Sequence, residues 1–334
     1  MKTLGRLYLT IGIVCLGFLL WFGIIFYNFT KTPLLAEHSK PVNLIFAPGS
    51  SATALAYQLQ RLNLISNPKR FAMLARLKGD ADYLQAGEYE ILPGDTPTTL
   101  LKKMRNGEFI KHEFLIVEGW NFAQILAALA ANNYIIHTLN GLTTEQIMSK
   151  IGHEGEMPEG RFAPDTYIIS GQVTDKDVLS TAYALMAKRL GSAWQARDPA
   201  ANLHCPYEAL IIASIIEKET ATASEKPIIA GVIFRRLEKN MFLQLDPTVI
   251  YGLANGTGKL TSSDLLKDTP YNTYTRKGLP ESPIAVPGLP SINAALHPAP
   301  GSVLYYVAKG DGTHEFSNTL EEQNKAIRKY ILLK

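Results

Sequence analysis

The sequence predicts an α+β protein hung from a single N-terminal transmembrane helix, with a small α+β subdomain followed by a larger α+β catalytic domain. Three observations carry that prediction. Residues 7–27 hold no charged side chain. Residues 42–121 repeat a strand, a glycine turn and a helix start. Residues 206–250 run through two apolar-striped helices into an alternating segment. Small units of two strands and two helices can pack a sheet against a helical layer, which makes the class α+β. The expected organisation is a cytoplasmic tail (1–6), an anchor (7–27), a linker (28–41), the subdomain (42–110) and the catalytic domain (111–334).

Residues 7–27 are long enough to cross a bilayer, and Trp21, Tyr8 and Tyr27 fit interface positions. Lys2 and Arg6 precede the apolar run. The positive-inside rule therefore places the N-terminus in the cytoplasm and the rest of the chain outside. A cleavable signal peptide is the competing reading, but the run is long and no A-x-A site follows it, which favours a retained anchor. Lys and Arg number 33 against 30 Asp and Glu, a formal net charge of +3, so electrostatics give no case for nucleic acid as a partner. The two cysteines are Cys15, inside the apolar run, and Cys205. The exported part thus has one thiol and can form no internal disulfide. The histidines show no H-x-x-x-H or H-E-x-x-H spacing, so neither a metal nor a cofactor is expected.

In the subdomain, residues 42–46 lead through Pro48 and Gly49 to a helix opened near Ser51. Residues 87–91 lead through Pro93 and Gly94 to one opened by Thr96 and Pro97. Residues 114–117 with Gly119, Trp120 and Asn121 begin a third such unit.

The chemistry is concentrated in residues 213–253. Pro206 and Tyr207 open a helix running to about Thr220, since proline at a first helical position loses no hydrogen bond. Stepping back from Glu219 by seven, four and three residues reaches Ile212, Ile215 and Ile216, so this carboxylate shares the apolar face. Such surroundings disfavour its charged form and raise its pKa toward values useful for donating a proton near neutrality. Glu217 follows Ser214 and Ala213, a smaller and more polar face. Ser224 is expected to cap a second helix through Leu237, with Ile229, Val232, Ile233 and Leu237 inside and Arg235, Arg236 and Lys239 outside. Residues 242–250 then read as a strand whose alternation sends Gln244 and Asp246 to one side.

The strings SIIEKETA, LQLDPTVIYGL, YNTYTRKGLPESPIAVPG and INAALHP closely resemble the YceG-like family of endolytic murein transglycosylases. The likeness covers separated motifs over essentially the whole length, whereas E-K-E-T alone would be weak. It implies that the second glutamate of that motif, Glu219, is catalytic, in agreement with the helical phase. It also implies a 42–107 segment similar to a LysM module, acting as a spacer or as a glycan binder. The substrate it implies is the peptidoglycan glycan strand, cleaved between N-acetylmuramic acid and N-acetylglucosamine to leave 1,6-anhydro ends and terminate elongation. No cofactor is implied. The setting is a single-pass inner-membrane protein with a periplasmic catalytic domain and peptidoglycan synthases as protein partners. The candidate substrate-binding residues are Gln244, Asp246, Thr248 and Tyr251 in LQLDPTVIYGL, Asn272 and Tyr274 in the Pro- and Gly-rich loop 271–288, and Asp165 in EGRFAPDTY. Phe162 and Tyr167 of the last motif are candidate sugar-stacking rings, although Arg161 and Ala163 replace aromatics common in the family.

Residues 291–295 read as a short capped helix, 303–307 as a strand and 320–333 as a closing helix. Two other functions are open on sequence grounds. One is a noncatalytic peptidoglycan-binding anchor in which Glu219 is a buried structural acid. The other is a lyase of the aminodeoxychorismate type, which the export signal opposes because that substrate would lie on the wrong side of the membrane.

Overall fold

A computed structural model describes residues 2–170, 173–199, 201–253 and 260–332, with side chains from residue 11 onward. It is α+β and divides into two compact units, Met1–Glu113 with Ile168–Val173, and Phe114–Tyr167 with Thr174–Lys334.

The first unit contains α1 (Lys2–Lys31), β1 (Val42–Phe46), α2 (Ala52–Arg61), α3 (Pro68–Leu77), β2 (Gly87–Ile91) and α4 (Pro97–Asn106), and leads into β3 (His112–Ile116). Within α1, Ile11–Lys31 has a mean hydropathy of 2.1, and it is the one helix among the described residues long and apolar enough to cross a membrane. Strands β1 and β2 are antiparallel, with Val42 opposite Ile91 and Phe46 opposite Gly87. Period-two alternation turns Leu44, Phe46, Tyr89 and Ile91 inward, where Leu55, Leu59, Phe71, Leu100 and Met104 meet them from the helices. Caps fix the helix starts. The Ser51 hydroxyl accepts from the Ala54 N–H at 3.1 Å, and Thr96 and Thr99 form a capping box ahead of Pro97.

The second unit contains α5 (Phe122–Ala131), α6 (Thr144–Lys150), β4 (Asp165–Ile169), α7 (Asp175–Gln195), α8 (Pro206–Glu219), α9 (Lys226–Glu238) and α10 (Asp246–Gly252). These are followed by α11 (Ser262–Leu266), α12 (Leu289–Leu296), β5 (Tyr305–Ala308), β6 (His314–Ser317) and α13 (Leu320–Ile327), with a π-helical turn at Arg328–Leu332. Strand β3 pairs with β4, and β5 with β6. Every residue of α8 from Ala209 to Ile216 is buried. A helix apolar on all sides belongs in a core, and α7, α9, α10 and α12 enclose it.

Several sequence expectations change here. Residues 242–250 form no strand: an irregular stretch leads into α10, and Pro247 in its first turn is a helix-start signal. The alternation survives without the strand, because Leu243 and Leu245 are buried while Gln244 and Asp246 are exposed. Ser224 does not cap α9; the N-cap is Glu225, without a side-chain cap bond. Ser291 lies inside α12, whose N-cap is Gly288. Arg236 is buried rather than outside, its guanidinium donating to the carbonyls of Leu304 and Leu243, both at 2.7 Å. Phe162 and Tyr167 are core rings, Phe162 stacking on Phe122 and the Tyr167 hydroxyl donating to the Ala163 carbonyl.

Candidate active site

Glu219 is the last residue of α8, at a turn closed by Thr220, whose hydroxyl donates to the Glu225 carboxylate at 3.1 Å. Glu225 also accepts from the backbone N–H of His314 at 2.8 Å and pairs with its Nδ1 at 2.8 Å. This clasp draws β6 to the end of α8. With β6 comes its partner β5, and so Tyr306. A cavity of about 310 Å³ results, lined by Glu219, Arg236, Gln244, Asp246, Tyr274 and Tyr306, with Leu243, Val307 and Ala308 among its apolar walls.

Glu219 is partly accessible from that cavity and otherwise surrounded by protein. Its pKa is raised from the ordinary 4.5 to about 7, chiefly because burial strips hydration from the carboxylate. The Asp246 carboxylate adds to the rise, while the Tyr306 hydroxyl and the Arg236 cation oppose it. The Tyr306 hydroxyl is buried and makes no hydrogen bond of normal geometry, yet it lies close enough to Glu219 to favour its charged form.

Asp246 occupies the first turn of α10 and accepts from the Tyr274 hydroxyl at 2.6 Å. Gln244 is held at φ +52°, in the left-handed region where a non-glycine residue is uncommon. Its N–H donates to the Thr273 carbonyl at 3.1 Å, and among the described residues its side-chain amide has no hydrogen bond. Asn272 is fully buried: its amide donates to the carbonyls of Leu265 and Lys267, and its oxygen accepts the Tyr274 N–H at 2.8 Å. It therefore positions Tyr274 without lining the cavity.

Of the sequence-derived candidates, Glu219, Gln244, Asp246 and Tyr274 converge. Thr248 is buried beneath them, bonded to the Leu245 carbonyl and the Thr273 hydroxyl. Tyr251 donates to the buried Glu159 at 2.9 Å, and Asp165 pairs with Arg189 on β4 and α7; neither lines the cavity. Sequence reasoning missed Arg236, Tyr306, His314 and Ile331, all of them cavity residues. For Arg236, spacing from Ile229 and Ile233 put it on an inner row, which its charge obscured. For Tyr306, the strand forecast at 303–307 gave no sign of which face meets Glu219, and His314 and Ile331 lie outside that strand.

Glu217, two residues earlier, is equally deep and fully satisfied. It accepts from Lys226 Nζ at 3.1 Å, the Gly288 N–H at 2.9 Å and the Ser291 hydroxyl at 2.6 Å. Its ion pair with Lys226 leaves the two side chains only 9% and 7% exposed.

Comparison with known proteins gives the family. Residues 45–329 match the profile of the YceG-like family. An endolytic murein transglycosylase of Bacillus subtilis is 31% identical over 319 residues, which covers 90% of this chain and 87% of that protein. One of Streptococcus pneumoniae is 26% identical over 347 residues, covering 93% of this chain and 62% of its own length. A crystal structure of a YceG-like protein from Listeria monocytogenes is 28% identical, with a TM-score of 0.55 over 86% of this chain and 99% of that one. The chain is therefore a member of the YceG-like family.

Proposed function

We propose that this protein is a membrane-anchored lytic transglycosylase of peptidoglycan in which Glu219 serves first as acid and then as base. The observation that carries the reading is one carboxyl group, poised at about pH 7, reaching a cavity whose other polar groups suit a sugar. The name carried by the Bacillus and Streptococcus relatives supports the same substrate.

Protonated Glu219 donates to the glycosidic oxygen between N-acetylmuramic acid and N-acetylglucosamine as the C1–O bond breaks. The resulting carboxylate takes the proton of the muramic C6 hydroxyl while that oxygen attacks C1. Atoms balance without water, and the product is a 1,6-anhydro end. A pKa near working pH lets one residue play both parts. Asp246, held by Tyr274, adds negative charge beside the sugar carbon that becomes cationic. The unpaired amide of Gln244 suits an N-acetyl or hydroxyl group. The apolar walls limit water that would otherwise intercept C1.

The test is mass spectrometry of products from purified glycan strands. Anhydro ends support the reading; reducing ends would replace it with hydrolysis, and intact strands with the binding-anchor alternative. Lys2 and Arg6 ahead of the apolar run of α1 support an N-in topology with the catalytic unit outside the cytoplasm, in the periplasm of a two-membrane cell. Alkaline phosphatase fused after Lys334 should then be active, and an inactive fusion would reverse the topology.

A further inference from the structure

The membrane-length helix does not end in a free tether. Phe26 and Phe29 pack against the apolar core of the first unit, and Leu34 is buried in it. The Thr98 hydroxyl donates to the Thr30 carbonyl at 3.1 Å, and the Leu34 N–H donates to the Asp95 carbonyl at 2.6 Å. Ile11–Lys31 rises about 30 Å at 1.5 Å per residue, the thickness of a hydrocarbon core, and its earlier side chains are exposed. With α1 as a membrane anchor, its last two turns would bring the first unit to the membrane surface.

A cavity of about 320 Å³ opens at this level. Ile25 and Phe29 of α1 line it, with Ile65 and Ser66 before α3 and Arg70 on α3. Among the described residues the Arg70 guanidinium has no carboxylate partner and no hydrogen bond, whereas Lys103 and Arg105 of this unit pair with Asp95 and Asp80. Lys31 and Lys69, both exposed, lie next to this segment in the chain and raise the local positive charge.

We propose that this cavity holds a phospholipid from the leaflet surrounding the C-terminal end of α1, with its phosphodiester on Arg70 and an acyl chain along Ile25 and Phe29. The lining is amphipathic in the order a lipid presents. Guanidinium is suited to bidentate hydrogen bonding with phosphate oxygens, and the apolar wall favours a chain that a free anion lacks. The inference rests on α1 being a retained anchor, so the test separates the two.

Full-length protein is taken from membranes into mild detergent and its bound lipid counted by native mass spectrometry, with carbonate extraction of the same membranes in parallel. The wild type should retain a phospholipid that millimolar inorganic phosphate does not displace. Loss of one charge-assisted contact in Arg70→Gln should lower occupancy about tenfold. Ile65→Trp, which fills the cavity without touching the charge, should lower it as well. Absence of retained lipid, equal retention in both variants, or displacement by inorganic phosphate would each overturn the site. Release of the chain by carbonate would overturn the anchor and the lipid site together; a chain that stays in the membrane without lipid overturns the site alone.

Discussion

Glu217 and Glu219 sit two residues apart at the end of one helix, both largely enclosed, yet their surroundings are opposite. Glu217 meets an ammonium, a backbone N–H and a hydroxyl, all within 3.1 Å. Glu219 meets a cavity, a neighbouring carboxylate and a tyrosine hydroxyl without a properly directed bond. The first arrangement fills the carboxylate's acceptor sites with donors; the second leaves the carboxyl group facing the cavity. Burial alone therefore does not mark a catalytic acid, and the supply of donors decides between the two roles.

The largest contrast should come from replacing each by glutamine. Glu219→Gln cannot cycle a proton, so anhydro-product formation should fall by roughly a hundredfold or more with no loss of thermal stability. Glu217→Gln should behave in reverse. It leaves Lys226 charged and enclosed, a defect that costs about 3–5 kcal/mol when one partner of a buried pair is removed. The melting temperature should drop, while folded protein retains most of its activity. Turnover at equal folded concentration, checked by circular dichroism, separates the two; abolished turnover in a well-folded Glu217→Gln would exchange the roles.

The same contrast extends to pH. In the proposed mechanism Glu219 starts the reaction protonated, so kcat/KM should decline as pH rises through about 7. For stability, a folded pKa of about 7 against an ordinary 4.5 means that the folded chain holds a proton the unfolded chain releases. The charged form thus weighs against folding above pH 7, and that burden is relieved as pH falls toward 4.5. In Glu219→Gln the burden is gone. The variant's gain in melting temperature over wild type should be greatest near pH 8 and vanish near pH 4.5, and a gain independent of pH would contradict the assigned cause.

Half of this contrast was legible in the sequence. The isoleucine spacing that put Glu219 on an apolar face depends only on helix geometry, and Ile212, Ile215 and Ile216 are indeed fully buried. For Glu217, Ala213 and Ser214 indicated a smaller and more polar face but not what fills it: its partners Gly288 and Ser291 come from the start of α12, more than 70 residues away. Periodicity along one helix contains no information about such partners. The Gln244 region shows the same limit: two-residue alternation sorted its side chains correctly, but a left-handed φ and the proline start of α10 replaced the strand. The hairpin bringing Tyr306 to Glu219 is positioned by the Glu225–His314 clasp, a contact between residues 89 apart.

A smaller and more selective effect is expected at Tyr306. Its hydroxyl has no normal bond to lose, so Tyr306→Phe should fold at least as well as wild type. Because that hydroxyl favours the charged Glu219, its removal should move the alkaline limb of the kcat/KM profile upward. Turnover at neutral pH should change by no more than about tenfold, the equivalent of about 1.4 kcal/mol at the acid. An unshifted profile would show that the hydroxyl does not act on Glu219.

The smallest change is expected on the satisfied side. The Ser291 hydroxyl donates to Glu217 at 2.6 Å and accepts from Lys226 at 2.7 Å, so Ser291→Ala removes two bonds from the nest but neither charge. Glu217 keeps Lys226 and the Gly288 N–H, and the ion pair remains compensated. Stability should fall by about 1–2 kcal/mol, well short of the Glu217→Gln effect. Turnover and its pH profile should stay within about twofold of wild type, because the bond network around Glu217 supports the fold and not the travelling proton. Denaturant melts with kinetics at three pH values test this. A shifted kcat/KM profile with stability unchanged would mean that the two glutamates are coupled, and that the division of labour drawn between them is wrong.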